Sequence, residues 1–270
     1  MKRIYLAALL ATACILPAHA DQLDQIKERG TLICGTLTST EPLGYQDPDT
    51  RQTVGFDVDT CAALAKRLGV KLEHRGLSVE ARIPELSLGR VDVVAAALGY
   101  TAERAKQIDF TASHYQVPIK LLVKAKSPIR TFADLSGKKI SATKGSTPEY
   151  FARKVIPTAT VMTFQDPPSA FMALQQNKVS ALALSQPAGM RYVRETNGQI
   201  RFLDESLYWE PTALGIKKGE TRLLEAVNQA LAGMEKDGEL DRMWNKWYGP
   251  QTKFDLPREK KLTPISQFAE

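Results

Sequence analysis

The chain has 270 residues, with 36 basic and 30 acidic side chains and a net charge of +6. That excess is too mild for a nucleic-acid binder, and no Lys/Arg-rich block interleaved with aromatics occurs. The length is enough for one good core or for two modest lobes.

The N-terminus sets the compartment. Lys2 and Arg3 precede an uncharged, mostly apolar stretch over residues 4–16, and Ala18, His19 and Ala20 place small residues where a signal peptidase reads. This is the pattern of a secretory signal peptide cleaved after Ala20, and the apolar run is too short to stay in a bilayer. A lipoprotein reading at Cys14 would need a larger aliphatic residue than Ala11. Removing the first 20 residues takes away Lys2 and Arg3, which lowers the net charge from +6 to +4. The expected product is an exported, soluble, monomeric protein of the periplasm.

Strands and helices then alternate. Residues 32–34 read as a strand, and Asp57 as the cap of a helix whose Val58, Cys61, Leu64 and Leu68 recur at helical spacing before Gly69. Residues 70–73 form a strand, 83–88 a short helix stopped by Gly89, 91–97 a continuous apolar strand, and 101–106 a helix start. This β-α-β-α order argues for a parallel, doubly wound sheet.

A second set follows from about residue 125. A helical turn at 132–135 leads to strands at 139–142, 161–164 and 179–184, which alternate with helices at 148–155, 170–176 and 187–195. Residues 212–217 read as a strand. A long helix then carries Leu223, Leu224, Val227, Leu231 and Met234 on one face, and a last helix carries Leu240, Met243, Trp244 and Trp247. The tail after Gly249 is polar, broken by proline, and expected to wrap the surface.

The joins between the sets, residues 117–124 and 210–216, are themselves strand-like, so two crossing strands make a hinge. The fold class expected is α/β, with two doubly wound lobes, a two-strand hinge and a ligand cleft between them. Lobe 1 spans residues 21–120 and 212–250, lobe 2 spans 121–211, and 251–270 form the tail. The export compartment permits a Cys34–Cys61 disulfide, but the apolar pattern around each favours two buried free thiols. Those cysteines with His74 and His114 show no metal-ligand spacing, so neither metal nor cofactor is expected.

Several motifs, in this order, resemble the periplasmic solute-binding proteins of polar-amino-acid ABC importers, the type II periplasmic-binding fold. They are Gly55-Phe56-Asp57-Val58-Asp59, the run from Asp92 to Arg104 with Ile108-Asp109-Phe110-Thr111 and Tyr115, Asp134-Leu135-Ser136-Gly137, Gly145-Ser146-Thr147, and Gly238-Glu239-Leu240 with Trp247-Tyr248-Gly249. The resemblance implies capture of a small amino acid or related carboxylate by hinge closure, then docking on an inner-membrane ABC permease. It implies that Arg104 holds the ligand carboxylate with its planar fork. Ala97 and Gly99 match positions whose backbone touches ligand, with Leu98 between them. Ser146 and Thr147 sit at a helix start suited to anions. Arg82 matches a position facing the ligand side chain and resembles glutamate/aspartate-binding relatives, which favours an acidic or polar ligand.

The sequence departs from the family in two places. Ser185 stands where relatives carry an aspartate for the ligand ammonium, and a serine cannot neutralise a buried charge. Glu41 is the candidate substitute. Thr40 and Leu43 replace stacking aromatics, leaving Tyr45, Tyr100 or Trp209 to supply a flat surface. The competing class is an enzyme: secreted cyclohexadienyl/prephenate dehydratases resemble this family, and Glu149 stands where they carry a catalytic glutamate.

Overall fold

The computed structural model describes residues 21–268, so the expected signal peptide and its cleavage after Ala20 lie outside the described residues. Lobe 1 begins with α1 (Gln22–Arg29), β1 (Thr31–Leu37), β2 (Ser39–Thr40), β3 (Gly44–Gln46) and β4 (Thr53–Val54). It continues through α2 (Phe56–Arg67), β5 (Lys71–Leu77), α3 (Arg82–Ser87), β6 (Val93–Val94) and α4 (Ala102–Ala105) to the long strand β7 (Ile108–Lys124). Lobe 2 comprises β8 (Lys139–Thr143), α5 (Thr147–Val155), β9 (Thr160–Phe164), α6 (Pro167–Gln175), β10 (Ala181–Ser185) and α7 (Gln186–Glu195). The second long strand, β11 (Ile200–Lys217), returns the chain to α8 (Thr221–Lys236) and α9 (Glu239–Tyr248) in lobe 1.

The strands order as β5-β1-β6-β11-β7-β10-β8-β9. Within each half the short strands run parallel, whereas β7 and β11 are antiparallel to each other and to their outer neighbours. The two crossing strands extend well N-terminal of the expected segments 117–124 and 210–216, and they run through both lobes as one ribbon with several register shifts. A small sheet β2-β3-β4, not expected from the sequence, packs beside β1 and α2.

Each half of the sheet is covered on both faces. In lobe 1, Ile26, Leu64, Val227 and Leu231 pack on one face, and Leu86, Leu98 and Ile108 on the other. In lobe 2, Ile140, Phe151 and Leu203 oppose Phe171, Leu182 and Tyr192. Burial on both sides explains why inner strands such as β6 and β10 read as continuous apolar runs.

Two local expectations change. Cys34 on β1 and Cys61 on α2 are joined by a disulfide, with Cα atoms 6.0 Å apart, rather than lying as two free thiols. Both are fully buried where the helix packs on the strand, so the apolar pattern was correct and the pairing is tertiary. Asp57 does not cap α2. Gly55, at φ 143°, occupies the cap position, and Asp57 turns inward from the first turn.

The tail packs more deeply than a polar wrap. Phe254 joins the aromatic cluster of Phe56, Tyr115, Trp244 and Tyr248, and Trp244 Nε1 donates to the Leu256 carbonyl at 2.8 Å. Arg258, with a side chain 3% exposed, donates to the His114 carbonyl and pairs with Glu235 and Asp241. Lys253 reaches Glu41 at 2.7 Å and Glu195 of α7 at 3.6 Å, so the tail touches both lobes.

Candidate functional site

The lobe 1 wall is built around a turned peptide. After β6 the backbone at Ala97 adopts φ +48°, a region that side-chain-bearing residues rarely occupy. Two buried groups hold it there. Asp57 accepts the Ala97 N–H at 2.9 Å, and Arg82 donates to the Ala96 and Ala97 carbonyls at 2.9 and 2.8 Å. Asp57 is buried with its other oxygen unpartnered, and burial pushes its carboxyl up to about 7 against the opposing pull of the Ala97 N–H and Arg82.

Arg82 is 3% exposed at the start of α3. It also donates to Val79 at 2.8 Å and, across the cleft, to the Gly145 carbonyl at 3.2 Å. Burial and the neighbouring Arg104 lower its pKa to about 9, so it remains a cation near neutrality. The guanidinium expected to face a ligand side chain thus spends most of its donors on carbonyls, although it does line the cavity.

Arg104 lies in the first turn after the Thr101 cap. It donates to the Gly99 carbonyl at 2.6 Å, the Thr147 hydroxyl at 2.8 Å and the Gly145 carbonyl at 3.0 Å. Both arginines of lobe 1 therefore converge on the start of α5 in lobe 2. That helix begins as its residues dictate: Ser146 caps it by accepting the Glu149 N–H, and Pro148 occupies the first turn. Further ion pairs span the lobes at the rim, Glu80–Lys144 at 2.7 Å and Glu41–Arg191 at 3.1 Å.

The cavity between these walls is small, about 50 Å³ in volume, and open to solvent on one side. Leu37, Leu43, Val79, Pro148, Pro167 and Leu184 supply much of its apolar lining. Hydroxyls come from Thr40, Thr143, Ser146, Thr147 and Ser185, and charge from Arg82 and Glu210. Glu210 was not singled out from the sequence beyond marking the start of a strand-like join. It sits on β11, 5% exposed, and takes a hydrogen bond from the Thr147 hydroxyl. Burial raises its pKa, and Thr147, Arg104 and Arg82 oppose that rise. A lone acid opening the otherwise uncharged run 210–216 was the available signal.

The expected site residues divide. Arg82, Ala97, Ser146, Thr147 and Ser185 line the cavity, and Arg104 and Gly99 adjoin it through the bonds above. Leu98 does not: its side chain is in the lobe 1 core. Glu41 is not available to a ligand ammonium, because Arg191 and Lys253 take its two oxygens. Tyr45 is not in the lining either, its ring meeting Trp247 edge-on at 6.2 Å. Tyr100 packs on Phe110, and Trp209 borders a separate groove beside Gln186 and Pro187. Glu149 is also committed, accepting the Gly145 N–H at 2.8 Å and pairing with Arg153, which is a helix-start role rather than that of an acid aimed into the cavity. Among the described residues no group of three or more His, Cys, Asp or Glu could hold a metal, and no helix is long and apolar enough to cross a membrane.

Two α/β lobes, a two-strand ribbon between them and a cavity closed by bonds from one lobe to the other define a hinged binding protein. The chain belongs to the bacterial extracellular solute-binding proteins, family 3, whose family model matches residues 32–250. It is 31% identical over 248 residues to the L-cystine-binding protein TcyJ of Escherichia coli (strain K12), covering 90% of this chain and 93% of that one. It is 30% identical over 231 residues to the ABC transporter glutamine-binding protein GlnH of Bacillus subtilis (strain 168), covering 84% of each. Among solved structures, an ancestral amino acid-binding protein, AncCDT-1, described as a precursor of cyclohexadienyl dehydratase, superposes with a TM-score of 0.77 at 33% identity. That match covers 84% of this chain and 99% of the other. These relatives are named as binding proteins, and the protein is a solute-binding component of an ABC importer rather than an enzyme.

Proposed function

We propose that the mature protein works in the periplasm as a monomer, released by cleavage after Ala20. It closes on a small α-amino acid and presents the closed form to an inner-membrane ABC permease. The observation that carries this reading is the convergence of Arg82 and Arg104 of lobe 1 on Gly145 and Thr147 of lobe 2. Charge-assisted bonds that exist only when the lobes meet favour the closed form, and a carboxylate seated among the same donors would favour it further. Ala97, Gly99, Ser146 and Ser185 then supply backbone and hydroxyl contacts around the ligand. The ligands in the relatives' names, cystine and glutamine, are α-amino acids and agree with this class.

The test is a thermal-shift panel on protein unfolded and refolded to strip carried-over ligand. The panel holds acidic, neutral and basic amino acids, their deaminated analogues and prephenate. A ligand at ~100 times its Kd stabilises by about 2.7 kcal/mol, which for this size raises Tm by roughly 5–10 °C. A shift with an amino acid supports the reading. A shift confined to prephenate, with turnover, replaces it.

A further inference from the structure

We infer that Glu210 is the counter-ion for the ligand's ammonium, and that the cleft therefore selects a zwitterionic amino acid with an uncharged side chain. The inference rests on the amino-acid reading of this cleft and names the class within it.

The charge pattern of the cavity carries the argument. Among its lining residues only Arg82 and Glu210 are charged, one of each sign, and the remainder are apolar or carry a hydroxyl. An ammonium taken out of water needs an anion and acceptors close by, since an unpaired buried charge is costly. Glu41 is held by Arg191 and Lys253, Asp57 lies behind the wall on the Ala97 N–H, and Ser185 is neutral. Glu210 remains as the carboxylate in the lining.

Its position is built for that use. The direct hydrogen-bond partner of Glu210 is the neutral Thr147 hydroxyl, which itself accepts from Arg104 at 2.8 Å. That hydroxyl therefore has its proton turned toward Glu210 and its oxygen toward the cation, which fixes the carboxyl as an acceptor. Arg82 and Arg104 act on Glu210 through space, but their donors are largely spent on Val79, Ala96, Ala97, Gly99 and Gly145. One ligand carboxylate can take what is left, and a second, on an acidic side chain, would meet the apolar lining from Leu37, Leu43 and Leu184.

The test compares wild type with Glu210→Gln, which keeps the shape and the acceptor for Thr147, and Glu210→Asp, which keeps the charge on a shorter arm. Each stripped protein is titrated calorimetrically with L-glutamine, L-methionine and L-glutamate, and with the acids of the first two lacking the amino group. Wild type should bind a neutral amino acid at least ~100-fold more tightly than its deaminated acid and than glutamate. Glu210→Gln should lose ~100-fold for the amino acid while holding the deaminated acid within about threefold. Glu210→Asp should keep the preference for the amino acid at reduced affinity. A Glu210→Gln protein that binds the amino acid as wild type does overturns the inference and leaves the amino-acid reading standing, as does a wild type that prefers glutamate. A wild type that binds only deaminated acids overturns both. If Glu210→Gln fails to fold, loss of the amino-acid preference in Glu210→Asp overturns the inference by itself.

Discussion

Glu210 lies directly over Gly99: a β-carbon built on that glycine would stand 1.8 Å from the glutamate Oε1 and 2.5 Å from its carboxyl carbon. The missing side chain at position 99 is what lets a carboxylate from the hinge strand settle beside the Thr147 hydroxyl. Gly99→Ala should therefore displace Glu210 rather than simply crowd the loop. Overpacking a buried site costs about 1–3 kcal/mol, and ligand affinity should fall by ~10–100-fold. Paired thermal melts and calorimetric titrations read both effects. Unchanged affinity with a lowered Tm would mean that the contact is packing alone.

Arg104 joins the lobes through Thr147 and Gly145 while anchoring its own loop at Gly99. Arg104→Ala removes those bonds and leaves the carbonyls to water in an open cleft. Hydrogen bonds to charged groups contribute about 1.5–3 kcal/mol each, so affinity should drop by at least ~100-fold. Small-angle scattering with ligand present should show a larger radius of gyration than wild type under the same conditions. Arg104→Lys should recover little, because an ammonium cannot reproduce the fork.

Two buried groups give stability opposite pH slopes. Asp57, pushed up to about 7 by burial, keeps in the folded state a proton that the unfolded chain releases near the ordinary value of 3.8. Its contribution therefore falls as pH rises from about 4 to 7. His114, pushed down to about 3 by burial and by Arg258, refuses a proton that the unfolded chain accepts below 6.5. Its contribution is present above that pH and is lost as pH falls. Over their shared range the slopes, each about 1.4 kcal/mol per pH unit at most, oppose one another. Denaturant unfolding across pH 4 to 7 should be flatter for wild type than for either single variant. Asp57→Asn should lose stability toward acid, and His114→Phe should gain it.

The family match ends at residue 250, before Phe254 and Arg258. A chain stopped at Pro250 would uncover the aromatic cluster around Trp244 and leave Glu235 and Asp241 without their buried partner. Hydrogen bonds to charged groups contribute about 1.5–3 kcal/mol each, and with the lost aromatic packing the truncated protein should melt at least ~5 °C lower. Arg258→Ala in the full chain should account for about half of that loss or more. Equal melting of truncated and full chains would show the tail to be dispensable.

How much could be read in advance follows from which features are local. The alternation of strands and helices was legible because strands such as Ala181–Ser185 are buried on both faces and helices such as α8 on one. The hinge strands were seen only in their C-terminal apolar halves, since the part of Ile200–Lys217 before Glu210 is exposed at Asp204, Glu205 and Trp209. Ser146, Thr147 and Arg104 were legible because each belongs to a short motif with its own cap chemistry. Glu41 and Tyr45 misled because their partners, Arg191, Lys253 and Trp247, come from elements far along the chain. Glu210 gains its meaning from a ladder pairing with Val117 that carries it to the cleft. The Cys34–Cys61 pair likewise depends on how α2 lies on β1.

Glu210 belongs to the strand that must flex when the lobes part, and Pro211 follows it with a fixed backbone angle. Selectivity and stiffness are thus written into the same few residues. A lineage of this protein that acquired a new solute by changing position 210 would alter the ease of opening in the same step. Its adaptation should leave paired traces at Pro211 or across the ladder at Val117, where the mechanical consequence could be corrected without disturbing the new chemistry.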